Sequence, residues 1–169
     1  YIRVHKNIVW ANRFAAGTSF GSKKLIYYLG GVDNWLFPRF NQEMEVNMDN
    51  NYAFQTLATN MRGFRQNIRN GNSFAVANTE LRVPIFSYLI NAPIRSEFIR
   101  NFQLIGFGDI GTAWEGLSPF DQDNPFNTEE IERGPVKVLV RYFRNPIVGG
   151  YGFGARTMLF GYFIRGDVA

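Results

Sequence analysis

From Ile2 to Gly21 the even positions are mostly large and apolar, with Lys6, Asn12, Ala16 and Thr18 among them. The even positions include Ile2, Val4, Ile8, Trp10, Phe14 and Phe20, whereas the odd positions hold Arg3, His5, Asn7, Arg13 and Ser19 with the small Ala11, Ala15 and Gly17. A period of two is the mark of a strand with one apolar face. Its length is about twice that of a usual globular strand and suits a tilted strand crossing a bilayer and continuing beyond it. The same pattern returns from Ser73 to Ile85, where Ala75, Ala77, Leu81, Val83 and Ile85 share one face and Asn78, Glu80 and Arg82 the other. Ionised groups on a strand face require water or partners. Further strands are expected over 24–31, 102–114, 136–143, 148–158 and 162–169. The expected fold class is therefore all-β: an antiparallel meander forming part of a transmembrane β-barrel. About seven strands are expected, and alternation runs to both ends of the chain, whereas bacterial single-chain barrels have even strand numbers. The expectation is a portion of a larger barrel.

Two polar segments interrupt the pattern, one over about 32–72 and a second over about 115–147. Loops of this length usually carry function or disorder. Within the first, Phe54, Leu57, Ala58 and Met61 fall at helical spacing, which allows a short helix there. Pro84 and Pro93 punctuate the chain after the Glu80 strand as a turn or strand edge. Asp121, Asp123, Glu129, Glu130 and Glu132 form an acidic stretch that admits loose calcium binding, although such runs are more often solvated loops.

Composition narrows the functional classes. Of the 169 residues, 17% are aromatic and only 19% charged, a balance that suits strands and membrane interfaces. The net charge of +4 comes from lysines and arginines scattered singly, without the clustering of a nucleic-acid footprint. There is no cysteine, and the lone His5 has no second histidine with which to build a metal site or triad. No metal, cofactor or catalytic residue is assigned. Gly106-Phe107-Gly108 and Gly152-Phe153-Gly154 are read as ordinary barrel-strand glycines, since neither opens a helix as a phosphate loop would. No apolar run approaches the roughly 18 residues a membrane helix needs.

The chemistry-bearing residues fall on faces that should point into the barrel. Arg62 lies on the long loop in Met61-Arg62-Gly63-Phe64, Glu80 on one strand, Asp109 on another in Gly108-Asp109-Ile110-Gly111, and Arg156 follows Gly152 and Gly154. Such groups can meet only across an enclosed space, and alternate glycines let another segment approach the backbone. The loop is expected to fold into the lumen and dock through Arg62, whose guanidinium can grip a carboxylate with two parallel hydrogen bonds. The competing reading is a polar lumen, solvated and loosely paired.

At these residues the chain resembles the BamA/TamA/FhaC superfamily of outer-membrane barrels, in the portion known as the bacterial surface antigen domain. The resemblance rests on Leu29-Gly30-Gly31, Met61-Arg62-Gly63-Phe64, Thr79-Glu80-Leu81-Arg82-Val83-Pro84, Gly108-Asp109-Ile110-Gly111-Thr112-Ala113-Trp114 and Gly152-Phe153-Gly154-Ala155-Arg156, in that order. It implies that Met61, Arg62, Gly63 and Phe64 form a loop-docking motif with Glu80 and Asp109 as lumen partners. It also implies that Gly108, Gly111, Gly152, Gly154 and Arg156 are close-approach and barrel-wall positions. The chain would hold roughly the tenth to fifteenth strands of a sixteen-stranded barrel, separated from the periplasmic POTRA domains. The stretch from Gly31 to Arg62 is longer than the family pattern and implies an insertion. The implied work is outer-membrane protein assembly and insertion, or polypeptide translocation, in the bacterial outer membrane. Implied partners are outer-membrane lipid, unfolded or partly folded outer-membrane proteins, and accessory periplasmic or lipoprotein subunits. The alternative is a barrel used as an anchor or receptor, its surface loops binding an external partner.

Overall fold

The computed structural model describes residues 1–5, 7–33, 35–44, 46, 52–121, 124–133, 136–141 and 144–169. The chain is mostly β. Its strands are β1 (Ile2–His5), β2 (Ile8–Thr18), β3 (Lys24–Leu29), β4 (Tyr52–Leu57), β5 (Arg69–Gly71), β6 (Ser73–Val83), β7 (Gln103–Trp114), β8 (Thr128–Arg133), β9 (Val136–Arg141), β10 (Val148–Leu159) and β11 (Tyr162–Val168). Two short helices, α1 (Phe86–Leu89) and α2 (Glu97–Asn101), lie between β6 and β7. Six strands form one sheet in the order β1-β2-β6-β7-β10-β11, every neighbouring pair antiparallel. We call this sheet the wall. Its order follows the chain, as a meander does, except that the chain leaves the wall between β2 and β6 and again between β7 and β10.

Those two excursions leave from the same end of the wall. The first builds a separate sheet, β4-β3-β5, in which β3 pairs parallel with β4 and antiparallel with β5. The second builds the antiparallel hairpin β8-β9. A core of Leu29, Met61, Phe74, Val76 and Ala113 joins the inner sheet to the wall, with Tyr27, Phe64 and Ile68 packed against it. The wall thus has an inward face covered by its own excursion and an outward face that is open among the described residues except near Thr157, whose hydroxyl donates to the Phe98 carbonyl of α2 at 2.7 Å.

Register fixes which residues share each face, because residues opposite one another on neighbouring strands point the same way. One inward row runs Arg13, Asn78, Asp109, Gly150; the outward row beside it runs Phe14, Ala77, Ile110, Gly149. All eight charged residues of the wall strands, Arg3, Arg13, Glu80, Arg82, Asp109, Arg156, Arg165 and Asp167, fall on the inward face. The outward face carries Trp10, Phe14, Leu81, Leu104, Ile110, Tyr151, Phe153, Tyr162 and Ile164, all exposed, with Phe14 at 82% and Tyr151 at 86%.

Four expectations are corrected. The alternation over 2–21 is two strands, since the chain reverses between His5 and Ile8 and pairs Ile2 with Trp10 and Arg3 with Val9. Ile2 and Trp10, like Arg3 and Val9, share parity, so the even positions keep one face across the turn, although a register shift between Arg3 and His5 sets His5 opposite Ile8. The strand expected over 24–31 exists, but as β3 it belongs to the inner sheet, so the excursion starts near Ser19 instead of residue 32. The helical spacing of Phe54, Leu57, Ala58 and Met61 gives no helix: Tyr52–Leu57 is β4, where aromatic and β-branched residues suit an extended chain held by β3. The second polar segment contains an unexpected strand, β8, opposite the expected β9.

Gly30 shows why the inner sheet turns where it does. It has φ +106°, and a Cβ there would lie 2.1 Å from the Arg65 carbonyl oxygen. Gly30→Ala should therefore cost about 1–3 kcal/mol in backbone strain alone and lower the urea midpoint. Gly106→Ala should be close to neutral, since no atom lies within 4 Å of its Cβ position. Equal midpoints for the two variants would contradict this assignment.

Candidate functional site

The turn that delivers Arg62 is built by glycine and backbone pairing. Beyond β3, Gly31 bridges Met61, with the Met61 N–H donating to the Gly31 carbonyl at 2.8 Å and the Gly31 N–H to the Phe64 carbonyl at 3.0 Å. Gly63 at φ +84° reverses the tip. Met61 is fully buried in the core against Leu29 and Val76, so its neighbour Arg62 is pushed at the wall.

Arg62 meets two adjacent wall strands. Its backbone N–H donates to Asp109 Oδ2 at 2.9 Å and its Nε to the same oxygen at 2.7 Å, while Nη2 bonds Asp109 Oδ1. The remaining terminal nitrogen, Nη1, bonds Glu80 Oε1. The Phe107 ring, on the strand position between these carboxylates, lies 3.9 Å beneath the guanidinium carbon. The side chain of Asp109 is wholly buried and that of Arg62 is 8% exposed. Burial alone would lower the Arg62 pKa, but hydrogen bonds and charge from Asp109, reinforced by Glu80, outweigh it and hold the group above its ordinary value. The cation is therefore fixed in place between the two carboxylates.

Glu80 serves two further arginines. Arg82, two residues along β6, donates Nε and Nη2 to Oε2 at 2.9 and 2.7 Å. Arg165 on β11 reaches Oε1 with Nη2 at 2.8 Å and gives its Nε to Asp167 at 2.7 Å. Arg165 and Asp167 were not among the expected site residues. Their signal is present in the sequence as opposite charges two apart on a strand, but only the pairing of β10 with β11 aims them at Glu80.

The structure brings Met61, Arg62, Gly63, Phe64, Glu80, Asp109 and Gly111 together. Gly111 admits the Met61 sulfur at 3.4 Å from its Cβ position, and Gly150, which was not singled out, admits the Arg62 carbonyl and the Phe64 ring, each at 3.0 Å. Gly152 and Gly154 are crowded by β11, through the Val168 carbonyl and Asp167, and not by the loop. Gly108 stands apart: it faces outward, with only Thr79 nearby at 3.5 Å. Arg156 faces inward and donates Nε to Gln103 Oε1 at 2.9 Å. His5 is exposed, and its carbonyl accepts from the Tyr88 hydroxyl. Asp123 and the side chains of Glu129, Glu130 and Glu132 lie outside the described residues, among which no cluster suited to a metal ion occurs.

The arrangement can hold a loop but shows no nucleophile beside a base. Compared with protein-family models, with curated proteins and with solved structures, the chain has no match in any of the three.

Loss of Arg62 strips Asp109 of its side-chain donors in a dry site. Breaking such a buried pair costs about 3–5 kcal/mol, so Arg62→Ala should open the loop over 32–60 to protease at concentrations the unaltered protein resists. Arg62→Lys, which keeps the charge but loses the fork, should fall between the two. Undiminished protection in Arg62→Ala would show that the loop is held elsewhere.

Proposed function

We propose that the chain is part of the wall of an outer-membrane β-barrel of the BamA/TamA/FhaC type, working in the insertion of outer-membrane proteins or the translocation of a polypeptide. The observation that carries this reading is the segregation of charge: all eight charged wall residues face inward, while the outward face is apolar and exposed. A soluble ligand-binding barrel needs the opposite polarity, with its large apolar residues inside. Four of the six wall strands have 11 or 12 residues, which at about 3.3 Å per residue and a tilt of about 45° is the length that crosses the bilayer's apolar core. Long excursions at one end of the wall also suit a barrel whose extracellular loops exceed its periplasmic turns.

In this reading the docked Arg62 loop shapes and closes the lumen, and the work is done by strand pairing and local distortion of the membrane, without covalent chemistry, nucleotide or metal. The surrounding lipid, partly folded outer-membrane proteins as substrates and accessory periplasmic or lipoprotein subunits are its partners. The six wall strands would be the tenth to fifteenth of sixteen. A receptor barrel is the second reading, favoured by the β8-β9 hairpin, which pairs with no wall strand. Deleting that hairpin separates them: a receptor loses its ligand, whereas an insertase defect disturbs other barrels.

Ile110→Arg tests the membrane reading directly. Ile110 is 52% exposed, so in water the change would be harmless, but on a lipid face an arginine near mid-bilayer costs about 2–4 kcal/mol. The natural polypeptide carrying this chain should sediment with outer membranes and shift in mobility between unboiled and boiled gels, and Ile110→Arg should reduce the shifted form. Release of the unaltered protein into buffer without detergent would overturn the proposal.

A further inference from the structure

The inward face holds more positive charge than the loop-docking network uses. Six guanidiniums, those of Arg3, Arg13, Arg62, Arg82, Arg156 and Arg165, stand against three carboxylates, Glu80, Asp109 and Asp167. Arg62, Arg82 and Arg165 share those three carboxylates. Arg156 makes no ion pair with any of them: Gln103 takes its Nε, Glu80 acts on it only through its charge, and no acceptor meets its terminal Nη nitrogens among the described residues. It also sits directly opposite Arg165 in the β10-β11 ladder, and like charges facing each other across a ladder destabilise it.

We propose that Arg156, backed by Arg165 and Arg82, forms an anion-binding site on the inward face that takes carboxylate side chains of a polypeptide. Gln103 fixes the guanidinium by its Nε edge and leaves the two Nη groups to present parallel N–H donors, the geometry that matches the two oxygens of a carboxylate. The location favours a peptide over a lipid headgroup, because the charged face is turned away from the apolar outward surface. The excess of cations attracts acidic segments before contact, and this attraction weakens with salt. Arg3 and Arg13, on the same face of β1 and β2, extend the positive field to the other side of the wall. The inference rests on the polypeptide-handling reading above and names the chemistry of the segment handled.

The test is binding of a fluorescein-labelled peptide alternating glutamate and serine, and of its glutamine counterpart, to the natural polypeptide carrying this chain in detergent micelles at low salt. The glutamate peptide should bind about tenfold more tightly or better, as a charge-assisted bidentate contact implies. Arg156→Gln should remove most of that preference, Arg156→Lys should keep part of it, and added salt should erode it. Equal affinity for the two peptides would overturn the site, and a preference intact in Arg156→Gln would take it away from Arg156. A gel shift on boiling checks that each variant is folded. The membrane reading is judged separately in the same preparation, since protein that is released without detergent yet prefers glutamate loses that reading and keeps the anion site.

Discussion

A guanidinium taken out of water needs acceptors already fixed to receive it, and carboxylates are the strongest of them. Arg62 finds Asp109 on β7 and Glu80 on β6, two neighbouring strands whose register alone sets the spacing of the two acids. The dependence runs both ways. Without the wall register the loop has no socket, and without Arg62 the wall carries a wholly buried Asp109 that has lost its side-chain partner. Burying ions costs several kcal/mol each, which the mutual attraction repays only in good geometry. The Phe107 ring beneath the guanidinium and the backbone N–H of Arg62 complete that geometry. Gly150 contributes by what it lacks, since a side chain there would press on the Arg62 carbonyl and the Phe64 ring and hold the loop off the wall.

Much of this was legible in the residue pattern. Alternation found the strands over 73–85, 102–114, 148–158 and 162–169, and the inward set of Glu80 and Asp109 followed from parity. Other features were hidden for definite reasons. The even positions keep one face across the β1-β2 turn, so a pattern of period two cannot register it. Membership of β3 in the inner sheet depends on its parallel pairing with β4, a long-range contact that Lys24–Leu29 does not encode locally. For 52–57 the helical spacing and the strand propensity compete, and β3 as a ready partner decides between them. The role of Arg165 is invisible without the β10-β11 register, because its carboxylate partner Glu80 lies 85 residues away.

The charge network also ties β11 to the rest of the wall. Among the described residues β11 pairs with β10 alone, and its residues are exposed throughout. Arg165 gives it a second attachment, reaching Glu80 beyond the two intervening strands β10 and β7. Glu80 therefore joins the Arg62 loop and β11 at one carboxylate, Oε1 accepting from both. Whatever draws β11 away takes a cation from Glu80, and the remaining arginines meet a less crowded acceptor. Conversely, departure of the loop leaves Glu80 to Arg82 and Arg165. The Arg62 loop and β11 thus meet at one oxygen of Glu80, through side chains alone and without any change in the register of the wall.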